Sequence, residues 1–135
     1  KDAVMPTIAT ATATNATIDQ LGYAVTIQSV ELAEKETRVY ISIQNNGSNE
    51  FTLYGFNSVL IQDSTQYEYQ PNYTADYPEH QTQIRPGITT EGVLVFPAIR
   101  EEPFQIILEG STYDWNEDIG EYVFNCTVSS VDSQV

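Results

Sequence analysis

The 135-residue sequence predicts an all-β protein built as an antiparallel β-sandwich. Apolar and polar side chains alternate with a period of two along most of the chain, which is typical of strands that bury one face. Clusters of Gly, Pro and Asn interrupt these stretches about every 10 to 15 residues, as they do in sandwiches. No stretch keeps the spacing of an amphipathic helix, and the length predicts a single domain.

The stretch YAVTIQSVEL predicts the first long strand of the sandwich. Tyr23, Val25 and Ile27 share one face, whereas the next apolar pair, Val30 and Leu32, lies in the opposite phase. A β-bulge between the two sets would bring both to the core, because one extra residue shifts the alternation.

The stretch TRVYISIQ predicts the next strand, with Val39, Ile41 and Ile43 inward and Arg38 and Tyr40 outward. The composition of QNNGSNE predicts a turn after it. Further strands are predicted in FNSVLIQD, YEYQ, TEGVLVF, EEPFQIILEG and EYVFNCTV.

The last of these strands contains the only cysteine, so no internal disulfide is expected. The alternation places Cys126 on the inner face with Tyr122 and Phe124, and it places Asn125 outward. We therefore expect Cys126 to be a small buried hydrophobic residue.

The segment TIATATATNAT, residues 7–17, predicts an extended N-terminal strand. Threonine favours strands because its branched Cβ fits a pleated surface, whereas a flexible linker would carry Gly and Ser. We divide the chain into an N-terminal arm, residues 1–20, and an immunoglobulin-like sandwich, residues 21–135. The arm can pair within its own sheet or complete the sheet of a neighbouring copy. In the second arrangement the assembly residues are Ile8, Thr10, Thr12, Thr14, Ala9, Ala11 and Ala13.

The charge balance excludes several classes of partner. Five Lys and Arg residues face 19 Asp and Glu residues, for a formal net charge of −14. No basic patch could neutralise the phosphates of a nucleic acid or an anionic membrane surface. No run of about 20 apolar residues is present to form a transmembrane segment. Because the chain starts at Lys1 and carries no leader pattern, we expect a mature product whose signal peptide has been removed.

Four Asn-x-Ser/Thr sequons predict N-linked glycans and therefore an extracellular or cell-surface location. Each sequon falls in a predicted loop or at an outward strand position, where a glycan would be accessible. The acceptor residues are Asn15, Asn46, Asn72 and Asn125.

The sequence contains no recognisable catalytic motif, and we expect a non-enzymatic protein. His80 and Cys126 are the only His and Cys residues, and they predict no nucleophile–base dyad. In DWNEDIGE, Asp114, Asn116 and Asp118 offer oxygen ligands at two-residue spacing, which suits Ca²⁺. The other interpretation of this stretch is a solvated acidic turn, and no other cofactor is expected.

Three stretches together resemble a known family. They are IQSVEL followed by RVYISIQNNGSNEF, then FNSVLIQDSTQYEY, and finally IRPGITTEGVLVFPAI. Over about residues 22 to 110, this combination resembles a domain of unknown function common in secreted and lipid-anchored bacterial and archaeal proteins. Its fold is similar to that of the mycobacterial immunoprotective extracellular antigen. The resemblance implies an immunoglobulin-like sandwich, secreted or at the cell surface, without catalytic residues.

Our leading functional hypothesis is a structural subunit of an extracellular filament or envelope layer. Identical subunits would assemble by donor-strand addition of the N-terminal arm. The alternative is a monomeric, envelope-tethered module that binds Ca²⁺ or carbohydrate. Tyr67, Tyr69, Tyr73 and Tyr77 would suit a sugar platform, a subunit contact or a loop packed on the sheet. A hydrolase that uses a carboxylate pair is the third hypothesis.

Overall fold

A computed structural model of the chain describes residues 5–70, 77–112, 117 and 119–130. Within these residues the chain forms twelve strands, all paired antiparallel, and a short 3₁₀ helix at Gly55–Asn57. The prediction of an all-β antiparallel protein is therefore confirmed. The strands are β1 Thr7–Ala13, β2 Thr17–Gln20, β3 Tyr23–Ala33, β4 Glu36–Asn45, β5 Phe51–Thr52, β6 Val59–Gln62, β7 Thr65–Glu68, β8 Gln83–Ile84, β9 Thr89–Pro97, β10 Phe104–Glu109, β11 Ser111–Thr112 and β12 Glu121–Ser130.

Nine of these strands form one continuous sheet in the order β7-β6-β10-β12-β1-β3-β4-β9, with β2 beside β3. A small second sheet has the order β11-β5-β8. The backbone N–H of Gln70 donates to the carbonyl oxygen of Val95 at 2.7 Å, which joins the segment after β7 to β9 at the other end of the large sheet. The large sheet thus curls round the core, and the immunoglobulin-like arrangement of two separate sheets remains a resemblance.

An aromatic cluster joins the small sheet to the large one. The Phe51 ring of β5 stacks on Tyr23 of β3, with ring centroids 5.1 Å apart, and meets Tyr122 of β12 edge-on at 6.3 Å. All three side chains are buried. Each such ring pair contributes about 0.5–1.5 kcal/mol beyond the burial of its area.

The bulge predicted in β3 is present. The register between β3 and β4 shifts between Ile27 and Ser29. Val25 and Ile27 before the shift and Val30 and Leu32 after it are all buried. The extra residue therefore keeps both halves of the strand facing the same core.

The N-terminal segment is an interior strand of its own chain rather than a projecting arm. β1 lies between β12 and β3, and Ala11 is opposite Val128 on one side and Val30 on the other. Ala9 and Ala11 are buried, because their methyl groups let the strand lie close against the core. Of the two arrangements left open by the sequence, this chain shows pairing within its own sheet.

Arg38 lies on the outer face of the sheet, as predicted, but it is not exposed to solvent. Its side chain is 1% exposed, although it alternates correctly with the buried Val39. Two glutamates and other polar side chains cover it, as described below. No helix in the part of the chain described here is long and apolar enough to cross a membrane.

Candidate functional site

The predicted assembly residues divide between the two sides of β1. Ala9 and Ala11 are buried and Ala13 is half-buried. The outward residues Ile8, Thr10, Thr12 and Thr14 are exposed. The structure brings them beside the outward residues of β12 in the same chain, with Thr12 opposite Thr127 and Thr10 opposite Ser129.

Thr10 and Thr12 belong to a wider surface whose own side chains carry no charge, with Asp63 beside it, and we call this surface the uncharged face. Across its strands Val59 lies opposite Ile107, and Ile107 lies opposite Val123. In the next row Ile61 lies opposite Gln105, and Gln105 lies opposite Asn125. The face consists of Val59 and Ile61 on β6, Gln105 and Ile107 on β10, Val123, Asn125 and Thr127 on β12, and Thr10 and Thr12 on β1.

The described sequon asparagines are accessible. Asn15, Asn46 and Asn125 are all exposed, and Asn72 lies outside the described residues. Asn15 is exposed although it continues the alanine side of β1, because the strand ends at Ala13 and the chain bends. The N–H of Thr14 donates to the carbonyl oxygen of Asn125 at 2.8 Å, so two sequons lie side by side.

The predicted Ca²⁺ ligands Asp114, Asn116 and Asp118 lie outside the described residues. Among the residues that are described, no group of three or more His, Cys, Asp or Glu could hold a metal ion. Glu117 from the same stretch accepts hydrogen bonds from the Tyr23 hydroxyl and from the Asn49 side chain. These two bonds lower the pKa of Glu117.

The face formed by β3 and β4 carries a charged network, which we call the Arg38 network. Arg38 donates to Glu31 Oε1 at 2.9 Å, to Glu36 Oε2 at 2.8 Å and to the Thr7 hydroxyl at 2.8 Å. The Tyr77 hydroxyl donates to Glu36. Burial alone would lower the pKa of Arg38, but its hydrogen bonds with the two glutamates raise it above the ordinary value. The network ties the start of β1 to β3, β4 and Tyr77.

His80 and Cys126, the described residues that were considered as a base and a nucleophile, both have structural surroundings. His80 Nε2 lies 2.8 Å from the carbonyl oxygen of Leu53. Cys126 is buried as expected, and burial raises the pKa of its thiol to about 12. A thiol with that pKa is almost wholly protonated at neutral pH and is a poor nucleophile.

A site that the sequence interpretation missed lies where β5 leads into β6. Tyr54 is 41% exposed and Phe56 is 66% exposed, and their ring centroids are 5.2 Å apart. We call this pair the aromatic ledge. The buried Leu53 and Ser58 flank it, and the Ser58 N–H donates to the Gly55 carbonyl oxygen at 2.9 Å. The ledge is therefore fixed at both ends.

One cavity beside the ledge has a volume of about 310 Å³. This volume lies at the low end of the range for small-molecule sites, about 300–1,000 Å³. A Cβ on Gly110 would lie 2.2 Å from the Phe51 ring, so only glycine lets the chain pass over this ring. The side chains that line this cavity are Thr52, Tyr54, Asn57, Glu109, Ser111 and Glu121.

A second cavity, of about 210 Å³, lies on the other side of Tyr54. Phe56, Tyr69, Glu79 and His80 contribute to its lining. The ledge thus combines exposed aromatic rings with carboxylate and hydroxyl groups on both sides, and with the amide of Asn57 on one side. Such a combination can stack against a ring-shaped ligand and hydrogen-bond its hydroxyl groups.

The tyrosines singled out from the sequence have other roles. Tyr67 and Tyr69 are half-buried and pack against the core, and Tyr77 bonds to Glu36. Tyr73 lies outside the described residues. Packing of this segment onto the sheet is therefore the interpretation that the described tyrosines favour.

No family model and no curated protein matches the sequence. Two solved structures have a similar fold, with 13–14% identity and a TM-score of 0.65 each. One is Bacillus subtilis ycdA, described as a putative lipoprotein; the match covers 83% of this chain and 38% of that one. The other is a functionally unknown protein from Listeria monocytogenes, with 89% of this chain and 85% of that one covered. At this identity the similarity shows a shared fold.

Proposed function

We propose that this domain is a non-enzymatic, envelope-associated module that binds carbohydrate on the aromatic ledge. The observation that carries the proposal is the exposed, fixed pair Tyr54 and Phe56, with Tyr54 between two cavities whose linings include carboxylate and hydroxyl groups. Adjacent exposed apolar side chains often mark a binding site, and these two rings are in contact.

The chemistry of the cavity lining favours a sugar over other ligands. The apolar face of a pyranose ring can lie on an aromatic ring, while its hydroxyl groups bond to carboxylates and amides. Asn57, Glu109 and Ser111 supply such groups beside Tyr54. An anionic ligand would be repelled by Glu109 and Glu121 and by the net charge of −14.

The envelope location is supported by two independent features. The exposed sequons at Asn15, Asn46 and Asn125 suit a protein that passes through a glycosylating compartment. The similar fold in a Bacillus subtilis protein described as a putative lipoprotein fits a surface module.

Binding to insoluble polysaccharides tests the proposal. Purified protein is mixed with cellulose, chitin or peptidoglycan, and the fraction that sediments is measured. We expect Tyr54→Ala and Phe56→Ala to weaken binding by about tenfold or more, which corresponds to about 1.4 kcal/mol. Ile88→Ala, at another exposed apolar residue, is the matched control. The proposal would be contradicted if the wild-type protein sedimented with none of the three polysaccharides. It would also be contradicted if the ledge variants bound as strongly as the wild type.

A filament subunit that exchanges β1 is the second candidate, and one observation favours it. β1 is held by main-chain pairing and by alanine methyl groups, so a neighbouring copy could supply the same contacts without loss. Only residues 14–16 link it to β2, and a short hinge can open into a swapped form. A head-to-tail exchange of this kind builds an open filament.

Peptide complementation tests strand exchange. A chain that lacks residues 1–13 is mixed with a synthetic peptide of residues 5–14, and the full chain is unfolded and refolded at high concentration. We expect the shortened chain to bind the peptide and the full chain to form filaments visible by negative-stain microscopy. A full chain that refolds only to monomers would rule out exchange, whatever the result for the polysaccharides.

A further inference from the structure

The most specific feature outside the aromatic ledge is the side chain of Asn125 on the uncharged face. Gln105 Nε2 donates to Asn125 Oδ1 at 2.8 Å. This bond holds the side-chain amide of Asn125 in one orientation through its oxygen. The Nδ2 atom takes no part in it, and the residue is exposed. Nδ2 is the atom to which an N-linked glycan is attached, and Thr127 completes the sequon on the same face.

The surroundings of Asn125 are apolar on one side. Val123 is 38% exposed, and it lies opposite Ile107, which in turn lies opposite Val59. Three adjacent aliphatic side chains on a sheet face form a patch that water solvates poorly. On the other side the Thr127 and Thr12 side chains offer hydroxyl groups.

The border of the uncharged face excludes a second copy as its cover. Glu68 on β7 lies opposite Val59. At one end Glu109 lies opposite Glu121. Two copies that met here would bring these rims of carboxylates together on chains that each carry a charge of −14. A neutral cover avoids this repulsion.

We infer that Asn125 carries an N-linked glycan that lies over the Val59–Ile107–Val123 patch. In its attachment, Asn125 Nδ2 forms a bond to the anomeric carbon of a lipid-phosphate-linked sugar. The bond from that carbon to the phosphate oxygen breaks, the lipid phosphate leaves, and one amide proton passes to a base of the transferase. The glycan shields the patch from water, which is a role separate from ligand binding at the ledge.

Secretion from a eukaryotic host that glycosylates sequons tests this inference. Mass spectrometry of peptides gives the occupancy of Asn125, and an apolar fluorescent dye reports the exposed patch. Thr127→Ala destroys the sequon and Thr127→Ser keeps it, although both remove the same methyl group. We expect Asn125 to be occupied in the wild type and in Thr127→Ser. We expect Thr127→Ala to bind the dye at least about twofold more strongly and to self-associate in 1 M salt, where the Debye length is about 3 Å.

A sequon at a distance supplies the second control. Asn46→Gln removes a sequon in the turn after β4, so dye binding and association should stay at the wild-type level. An unmodified Asn125, whether or not the other sequons are occupied, would overturn the inference. Equal dye binding by Thr127→Ala and Thr127→Ser would overturn the shielding role.

Discussion

The uncharged face and the Arg38 network lie on the outer side of the same sheet, but their side chains differ in exposure. On β10 and β12 the outward residues Gln105 and Asn125 remain accessible and uncharged. On β4 the outward Arg38 is buried between Glu31 and Glu36. Alternation sorts side chains between two faces, but it does not say which face another segment covers.

The segment at residues 77–81 explains why the outward Arg38 is buried. The N–H of Val93 donates to the Pro78 carbonyl oxygen at 2.9 Å, and the Gln81 N–H donates to the Thr90 hydroxyl at 2.8 Å. A Cβ on Gly92 would lie 2.3 Å from the His80 nitrogen, so this segment rests directly on β9. Its Tyr77 then reaches Glu36 beside the guanidinium.

Breaking the Arg38 network should have the largest effect. Arg38→Met leaves the buried Glu36 without its cation, and loss of one partner from a buried pair costs about 3–5 kcal/mol. Urea unfolding followed by circular dichroism measures the change. The double variant Arg38→Met/Glu36→Leu removes both charges and should recover a large part of the loss. A single variant within 1 kcal/mol of the wild type would mean that the face is not sealed.

The inner side of β1, behind the uncharged face, should show the next largest effect. Ala11 is 2% exposed, and Ala11→Leu adds volume where the strand lies against the core. Overpacking of this kind costs about 1–3 kcal/mol, which thermal unfolding would detect. Wild-type stability would mean that β1 is not held at this position, and it would favour strand exchange.

A carboxylate away from both faces tests which acid gives the fold its pH dependence. Hydrogen bonds from Tyr23 and Asn49 lower the pKa of Glu117 in the folded state. Its contribution to stability is therefore full above the unfolded-state pKa of about 4.3 and is lost as the pH falls through the lowered folded pKa. Glu117→Gln should flatten this part of the acid limb in a plot of Tm against pH. An unchanged acid limb would assign the loss to other carboxylates.

The smallest effect is expected from a new charge on the uncharged face. Thr12→Lys places an ammonium group at an exposed position, so the free energy of unfolding should change by no more than about 0.5 kcal/mol. Denaturant titration measures it beside Arg38→Met. A cost above 1 kcal/mol would show that Thr12 is buried in solution. Sedimentation would then show whether a second copy of the chain covers it.

Local pattern predicted much of the fold. The phase change between Ile27 and Val30 predicted the bulge, and the alternation around Cys126 predicted its burial. The burial of Arg38 depends on Tyr77, a contact that no local pattern contains. Tyr54 and Phe56 were missed because they sit in a 3₁₀ turn, where side-chain spacing does not indicate exposure. The pattern that could have indicated them is a pair of aromatic residues on either side of a glycine, between two buried strands.

The position of β1 sets the order of events when the chain folds. β1 lies between β12 and β3, and β12 is far from β1 in the sequence; the nearby bond from Gln20 to Glu121 spans 101 residues. Contacts so distant in sequence close slowly. A chain that contains β3 but not yet β12 therefore has one partner for β1 and leaves the other edge of this strand unpaired.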